Sequence, residues 1–139
     1  FPMSIFMKRK YANPGLVGPY NRTICAKGRF AVPLEWRRIM GVKSLYGYRQ
    51  RMVLPCEEGE IPCFVMGDRF ILDEIVRQCE ELGPEDPKRV EYMTSIIFRR
   101  TMDAQGRAIL KEHELEYLDT QTDRLKLYGN IDRFIVSRG

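Results

Sequence analysis

The chain has 139 residues, with 23 Lys and Arg against 19 Asp and Glu, and a net charge of +4. A hydrophobic content of 44% and a charged content of 30% are ordinary for a folded domain, which excludes long-range disorder and a collagen-like or coiled-coil identity. The charge is uneven: residues 1–54 carry eleven basic residues and one acid, whereas residues 55–139 carry twelve and eighteen. The first part is therefore the candidate for binding a polyanion.

The N-terminal residues do not resemble a targeting segment. No run of about 18 apolar residues occurs, so no membrane-spanning helix is predicted. The short apolar start is followed by Lys8, Arg9 and Lys10, the reverse of the order in a signal peptide. We predict that residues 1–15 form an extension or arm, which is either a plain tail or a segment that follows phosphates. The cysteines form no C-x-x-C pair and indicate reduced thiols: Cys25, Cys56, Cys63 and Cys79.

The first half reads as strands with one short helix. Residues 20–33 predict a strand, a tight turn at Lys27-Gly28 and a second strand that stops at Pro33. Residues 34–40 predict a short helix closed by Gly41. Two further apolar runs, 43–54 and 61–66, predict strands on either side of a polar loop.

The middle of the chain is predicted to be an antiparallel helical hairpin. The first helix has one apolar face and ends at Gly83-Pro84; the face comprises Ile71, Leu72, Ile75, Val76, Cys79 and Leu82. The second helix starts with Asp86 as N-cap and Pro87 at its first position. Its stripe is Val90, Met93 and Ile97.

The last part returns to strands. Residues 101–110 predict a strand, a turn at Gln105-Gly106 and another strand. A short helix is expected over 112–118. A final strand pair, 125–129 and 133–136, is predicted about a turn at Asn130.

Two of these segments repeat one pattern. CAKGRFAV at 25–32 and DAQGRAIL at 103–110 share Ala-polar-Gly-Arg followed by apolar or small residues, with an offset of 78 positions. This predicts a duplicated half-domain with a pseudo-two-fold axis and the helical hairpin inserted between the copies. The glycine supplies the positive φ that a tight turn needs, but a turn does not explain the arginine.

At these residues the chain resembles the MraZ family of bacterial transcriptional regulators, within the AbrB-like swapped-hairpin class. The family's mark is a duplicated Asp-x-x-Gly-Arg-apolar-x-apolar-Pro motif with a helical hairpin between the copies. Other matching segments are Leu16-Val17-Gly18, Pro62-Cys63-Phe64-Val65-Met66, Trp36-Arg37-Arg38 and Leu125-Lys126-Leu127-Tyr128-Gly129 followed by Phe134. The resemblance covers about residues 16–136. It departs from the pattern at Cys25, which replaces Asp, at Lys111, which replaces Pro, and at the ending Ile135-Val136-Ser137.

The resemblance implies an α+β fold in which two tandem AbrB-like β-hairpin half-domains form a pseudo-symmetric swapped-hairpin barrel. The expected boundaries are 1–15 for the arm, 16–66 for the first half-domain, 67–100 for the helical hairpin and 101–139 for the second half-domain. It also implies a cytoplasmic, nucleoid-associated homo-oligomeric ring that binds short repeated boxes of double-stranded DNA. The family acts at promoters of the division and cell-wall gene cluster, usually as a repressor, and uses no cofactor, metal or small-molecule substrate.

Arginine and lysine side chains would carry DNA binding. Phosphate neutralisation supplies affinity, and a guanidinium fork matches guanine O6 and N7. We expect Arg29 to matter more than Arg107, because the surroundings of Arg29 are cationic. The remaining candidates are Lys27, Arg22, Arg37 and Arg38; for the last two a solvated helix face is equally compatible with the pattern.

Three other functions are alternatives to DNA binding. A ring-forming scaffold without DNA function would explain the uneven charge, since the acidic part of one copy could pair with the basic part of another. An enzyme is disfavoured because no P-loop or Gly-x-Ser-x-Gly pattern occurs, His113 lies in a run that reads as a solvated helix face, and Glu112, Glu114 and Glu116 do not share one face. A metal site from Cys56, Cys63 and His113 has unfavourable spacing.

Overall fold

The computed structural model describes Tyr11, residues 14–95 and residues 98–139; most of the predicted arm therefore lies outside the described residues. The first strands and helix are β1 (Pro19–Thr23), β2 (Arg29–Ala31), α1 (Leu34–Met40), β3 (Ser44–Val53) and β4 (Glu60–Gly67). The two central helices are α2 (Arg69–Glu81) and α3 (Pro87–Ser95). The last elements are β5 (Phe98–Thr101), β6 (Arg107–Ile109), α4 (Glu112–Tyr117), β7 (Arg124–Asn130) and β8 (Arg133–Arg138). Each helix and strand predicted from the sequence is present, although β5 begins three residues earlier than expected.

The strands form a six-stranded antiparallel sheet in the order β1-β7-β8-β4-β3-β5 and a separate two-stranded ribbon, β2–β6. The strands that flank each Gly-Arg turn do not pair with each other as in a simple hairpin, but exchange partners between the two copies of the motif. Each turn is closed by its own hydrogen bonds, and the strands that leave it diverge to different partners: β1 to β7, β5 to β3, and β2 to β6. The sheet is open at β1 and β5, so a closed barrel is not shown.

The pairing has the same pattern on both sides of a central point. In the sheet, Val65 of β4 faces Ile135 of β8 at the central position. On one side of this pair a phenylalanine of β4 faces β8, Phe64 opposite Val136, and on the other side a phenylalanine of β8 faces β4, Phe134 opposite Met66. In the ribbon, Phe30 faces Ala108 in the same central position. The strand pairs β3–β5 and β7–β1 are likewise equivalent in position. The ribbon and the sheet thus share one local two-fold arrangement, while the half-domain boundaries remain predictions.

The core lies between the ribbon, the short helices and one face of the sheet. Trp36, Phe30, Phe64 and Phe134 are 1% exposed or less. The ring of Trp36 lies 5.2 Å from that of Phe134, and its Nε1–H donates to the Val17 carbonyl at 3.0 Å. Complete burial of a phenylalanine side chain, such as that of Phe30 in the ribbon, stabilises the fold by about 1.5–3 kcal/mol. The ribbon is therefore fixed to the core through Phe30.

The two central helices differ in how well they are covered. In α2, Ile71, Ile75 and Cys79 are buried against the sheet as predicted. The start of α3 is also confirmed, since Asp86 Oδ1 accepts from the Lys88 N–H at 2.9 Å. The predicted stripe of α3 is nevertheless exposed, Val90 by 53% and Met93 by 44%, because the main contacts of α3 are with α2. Ile97 lies outside the described residues.

Within the described part of the chain, every helix is too short or too polar to cross a membrane.

Candidate nucleic-acid interface

The two Gly-Arg turns have the same backbone geometry. In the first, the Cys25 N–H donates to the Arg29 carbonyl at 3.0 Å and the Gly28 N–H donates to the Cys25 carbonyl at 2.8 Å. In the second, Asp103 donates to Arg107 and Gly106 donates to Asp103, both at 2.9 Å. Gly28 and Gly106 have φ values of +78° and +75°, which favour glycine. The repeated motif therefore encodes one turn, used twice.

The turns are joined across the ribbon. The Leu110 N–H donates to the Gly28 carbonyl at 2.8 Å, and the Val32 N–H donates to the Gly106 carbonyl at 3.1 Å. These two bonds occupy equivalent positions at the two ends of the ribbon. They hold each turn against the strand that leaves the other turn.

The ribbon turns both motif arginines to the same face. Arg29 faces Ile109 and Ala31 faces Arg107 across the strand pair, while the intervening Phe30 and Ala108 are buried. Side chains alternate along a strand, so Arg29 and Arg107 share the outward face. They are diagonal neighbours, for which a separation of about 7–8 Å is typical. The structure thus brings together two arginines that are 78 positions apart in sequence.

The Asp103 carboxylate binds both the backbone and the side chain of Arg107 within the second turn. Its Oδ1 accepts from the backbone N–H groups of Gln105 and Arg107, each at 2.9 Å. Its Oδ2 pairs with the Arg107 Nε at 2.8 Å. Because the Arg107 N–H donates to it, the pKa of Asp103 lies below its usual value.

Cys25 takes the place of that aspartate in the first turn. The backbone N–H of Arg29, with that of Lys27, holds the pKa of the Cys25 thiol below its usual value. The charges of Arg29 and Arg107 act in the same direction. Cys25 therefore occupies the position of Asp103 without supplying a carboxylate for Arg29.

Arg29 has no ion-pair partner among the described residues, whereas Arg107 has Asp103. Arg29 is half-buried and Lys27 beside it is exposed. A guanidinium without an internal partner keeps its donors for another molecule. This gives a physical reason for the predicted preference of Arg29 over Arg107, which remains a prediction.

Arg22 has a more structural environment. Its Nε donates to the Ala31 carbonyl at 3.0 Å, and its guanidinium lies over the Tyr20 ring, 5.1 Å from the centroid. Arg100 lies in the same way over Phe98, at 4.8 Å. Arg22 thus links β1 to the end of the ribbon, and its half-buried position leaves its predicted role in DNA binding untested.

The helix arginines lie beside the second turn. The Arg37 Nε donates to the Val32 carbonyl at 3.0 Å, and the guanidinium occupies the space where a Cβ on Gly106 would lie. Arg38 is exposed on α1. Arg37 also lines a pocket of about 400 Å³ together with Lys43. Sequence reasoning missed Lys43, since only the folded chain brings it opposite the second turn.

The alternative enzyme and metal sites gain no support from the described residues. His113 is exposed as predicted, but Glu114 is buried, so the solvated face expected for this run is wrong at Glu114. Glu114 accepts from the Lys111 N–H at 2.8 Å and pairs with Arg100, which draws it inward. Cys63 is buried, which raises the pKa of its thiol to about 11. Within the part of the chain that the structure describes, His, Cys, Asp and Glu form no group of three suited to a metal.

Comparison with known proteins finds distant relatives that are named as transcriptional regulators. The chain is 25% identical over 113 residues to proteins named "Transcriptional regulator MraZ" from strains ATCC 17029, KD131 and ATCC 17023 of Cereibacter sphaeroides. The match covers 78% of this chain and 67% of each relative. No protein-family model matches the chain. The similarity supports an MraZ-like relationship at the level of distant relatives.

Proposed function

We propose that this protein is a DNA-binding transcriptional regulator that contacts double-stranded DNA through the β2–β6 ribbon and its two Gly-Arg turns. The observation that carries the proposal is the pair Arg29 and Arg107 on one outward face of a ribbon whose other face is buried. The distant relatives are named as transcriptional regulators, which supports a regulator over an enzyme.

The shape and rigidity of the ribbon suit this role. The major groove of B-DNA admits a two-stranded β-ribbon, and an arginine fork there can bond guanine O6 and N7. Phe30 fixes the ribbon to the core, so Arg29 projects from a supported strand and not from a loose loop. Positioned donors lose less conformational freedom on binding. Arg29 is thus the residue we assign to base contacts, with Arg107 as its weaker counterpart.

The charge distribution supports the same orientation. Residues 22–43, which include β2 and α1, contain six basic residues and one acid. Residues 68–95, which include α2 and α3, contain eight acids and four basic residues. A phosphate backbone is attracted to the first region and repelled by the second. We propose that Lys27, Arg37 and Arg38 contact phosphates, with a smaller part for Arg22, and that α2 and α3 lie away from the DNA.

The proposed target is a set of short repeated promoter boxes, as the MraZ-like character implies, with repression as the outcome. The division and cell-wall gene cluster is the proposed location of these boxes. We also propose cytoplasmic action in association with the nucleoid, and no cofactor.

A homo-oligomeric ring completes the proposal. The exposed side chains of Val90, Tyr92 and Met93 give α3 an apolar surface. The acidic helices of one copy could approach the basic region of the next, and such head-to-tail contacts can close into rings. Multi-angle light scattering of wild type and Met93→Lys tests this proposal, because a positive charge on α3 opposes both the apolar contact and the approach to a basic region, and should reduce the measured mass.

The exposed α3 surface also favours one alternative function, a ring-forming scaffold that does not bind specific DNA. The two functions differ in their response to DNA and salt. A scaffold would assemble normally and show no salt-sensitive DNA binding. The DNA-binding proposal requires both salt sensitivity and sequence preference.

Selection of bound DNA from a random pool at near-physiological salt is the decisive experiment. Recovery of tandem short repeats would support the proposal. Binding without sequence preference that is lost at higher salt would show that the protein binds DNA only non-specifically. Gel shifts on the recovered site should show that Arg29→Ala abolishes specific binding, while Arg77→Ala, an exposed arginine on α2, has little effect. Wild-type affinity of Arg29→Ala at low salt would contradict the assignment.

A further inference from the structure

Two pockets of similar size flank the ribbon at equivalent positions. The first, here called the Arg37 pocket, has a volume of about 400 Å³ and lies beside the second turn. The other, called the Thr120 pocket, has a volume of about 410 Å³ and lies beside the first turn. Their linings correspond at an offset of 78 positions: Asp103 with Cys25, Met102 with Ile24, and Arg37 with Leu115. The same architecture therefore carries two different sets of side chains.

The Arg37 pocket has an excess of free positive charge. Arg37 and Lys43 both line it, and neither pairs with an acidic side chain among the described residues. The one acid in the lining, Asp103, is occupied by Arg107 and by two backbone N–H groups. The hydrogen bond from the Arg37 Nε to the Val32 carbonyl fixes the guanidinium over Gly106 and leaves its terminal nitrogens available.

The Thr120 pocket has the opposite character. Among the described residues that line it there is no lysine or arginine, and Leu115 occupies the position that corresponds to Arg37. Asp123 adds a carboxylate to its wall. An anion would meet no compensating cation here and would be repelled by Asp123. The local symmetry of the backbone is thus broken by charge.

We propose that the Arg37 pocket binds one phosphate of the DNA backbone, through Arg37 and Lys43, and that the Thr120 pocket binds none. A planar guanidinium beside an ammonium is a suitable donor set for a phosphodiester oxygen pair. The inference rests on the proposed DNA binding and deepens it. A single ribbon would then sit on DNA with a fixed direction, with Arg29 at the base edges and the phosphate held beside the other turn.

The salt dependence of DNA binding measures the number of phosphates held. Loss of one phosphate contact lowers the slope of log affinity against log salt by about 0.9. We expect this reduction for Lys43→Gln, and no change for the matched variant Lys88→Gln on α3. The Lys43 carbonyl, which accepts from the Met102 N–H at 2.7 Å, is left intact, and Trp36 fluorescence reports that the fold is retained.

A scan with methylphosphonates locates the contact. A single neutral linkage at the phosphate bound by Arg37 and Lys43 should weaken DNA binding by wild type. The same linkage should not weaken DNA binding by Lys43→Gln further. Identical slopes and identical scan profiles for wild type and Lys43→Gln would overturn the inference. If these identical profiles are found while wild type binds DNA and Arg29→Ala loses specificity, only the phosphate site in the Arg37 pocket is rejected. If wild type shows no salt-dependent DNA binding, the proposed function is rejected as well.

Discussion

Arg107 is bound to Asp103 through Nε and Oδ2 at 2.8 Å, within a turn whose counterpart presents Arg29 and a thiol. The two arginines share a backbone setting and an outward face, but only one has a carboxylate beside it. One of the differences between the two copies of the motif, Cys25 in the place of Asp103, therefore leaves Arg29 without the carboxylate that Arg107 has.

The first prediction restores the missing carboxylate with Cys25→Asp. The new side chain should accept the N–H groups of Lys27 and Arg29 and pair with Arg29, as Asp103 does with Arg107. We expect a melting temperature a few degrees higher and DNA affinity several-fold lower at low salt, since a free cation is lost. Thermal unfolding and gel shifts measure the two effects. Cys56→Asp, at another exposed cysteine, is the control and should leave both quantities nearly unchanged.

The second prediction concerns acid stability. Hydrogen bonds lower the folded-state pKa of Asp103 below the unfolded value of about 3.9, so its ionised form favours the folded chain. This contribution is complete above the unfolded pKa and is lost as the pH falls through the folded pKa. Wild type should therefore exceed Asp103→Asn in unfolding free energy from about pH 5 upward, and the difference should shrink below pH 4.

Urea unfolding followed by Trp36 fluorescence, at pH values from about 3 to 7, tests this difference. Asp73→Asn is the control, since Asp73 forms an exposed helix ion pair with Arg69 at 3.8 Å and no other ion pair with a described residue. A difference between wild type and Asp103→Asn that does not change over this range would rule out the linkage.

The third prediction ranks three glycine-to-alanine variants. Gly28, Gly106 and Gly59 all have positive φ, which costs alanine about 1–2 kcal/mol. At Gly59 the added Cβ meets open space. At Gly106 it meets the Arg37 guanidinium, which can move aside at the cost of its hydrogen bond to Val32, and at Gly28 it meets the Leu110 backbone carbonyl, which cannot.

We therefore expect the loss of unfolding free energy to increase in the order Gly59→Ala, Gly106→Ala and Gly28→Ala. Denaturant unfolding gives the ranking. Gly106→Ala should also weaken DNA binding, because it displaces Arg37. An equal loss for all three variants would show that φ strain alone matters.

The fourth prediction concerns the buried ion pair between Arg100 and Glu114. Their side chains are only 11% and 4% exposed. Removal of one partner leaves a buried charge without compensation, so Glu114→Ala should cost about 3–5 kcal/mol of unfolding free energy. The double variant Arg100→Met/Glu114→Leu should lose less unfolding free energy than the sum of the losses of the single variants Arg100→Met and Glu114→Leu. Additive losses would contradict the interpretation that the two charges compensate each other.

The sequence predicted the elements well because their signals are local. Apolar spacing marks α2 through Ile71, Ile75 and Cys79, and a capping carboxylate with a proline marks the start of α3 at Asp86. The glycines of the two Gly-Arg turns were also predicted, since a tight turn with positive φ needs them. Such features depend on a few neighbouring residues.

Strand partners and pocket linings depend on residues far apart, and these were predicted less well. The pairing of β2 with β6 brings Arg29 beside Arg107, and no local pattern distinguishes it from a simple hairpin. In the sequence Lys43 is a single lysine before a strand, and only the folded structure shows that it lies beside the second turn. Glu114 likewise reads as part of a charged face until Arg100 is seen beside it.

The exchange of strands also determines when the chain can begin to fold during synthesis. Among the strands that the structure describes, β1 pairs with β7 and β2 pairs with β6, and both partners follow the helices α2 and α3 in sequence. A ribosome therefore releases the basic segment long before its partners exist. We expect the Gly28–Arg29 turn to acquire its final surroundings only when nearly the whole chain has emerged, so that the proposed DNA-binding surface and the fold are completed together.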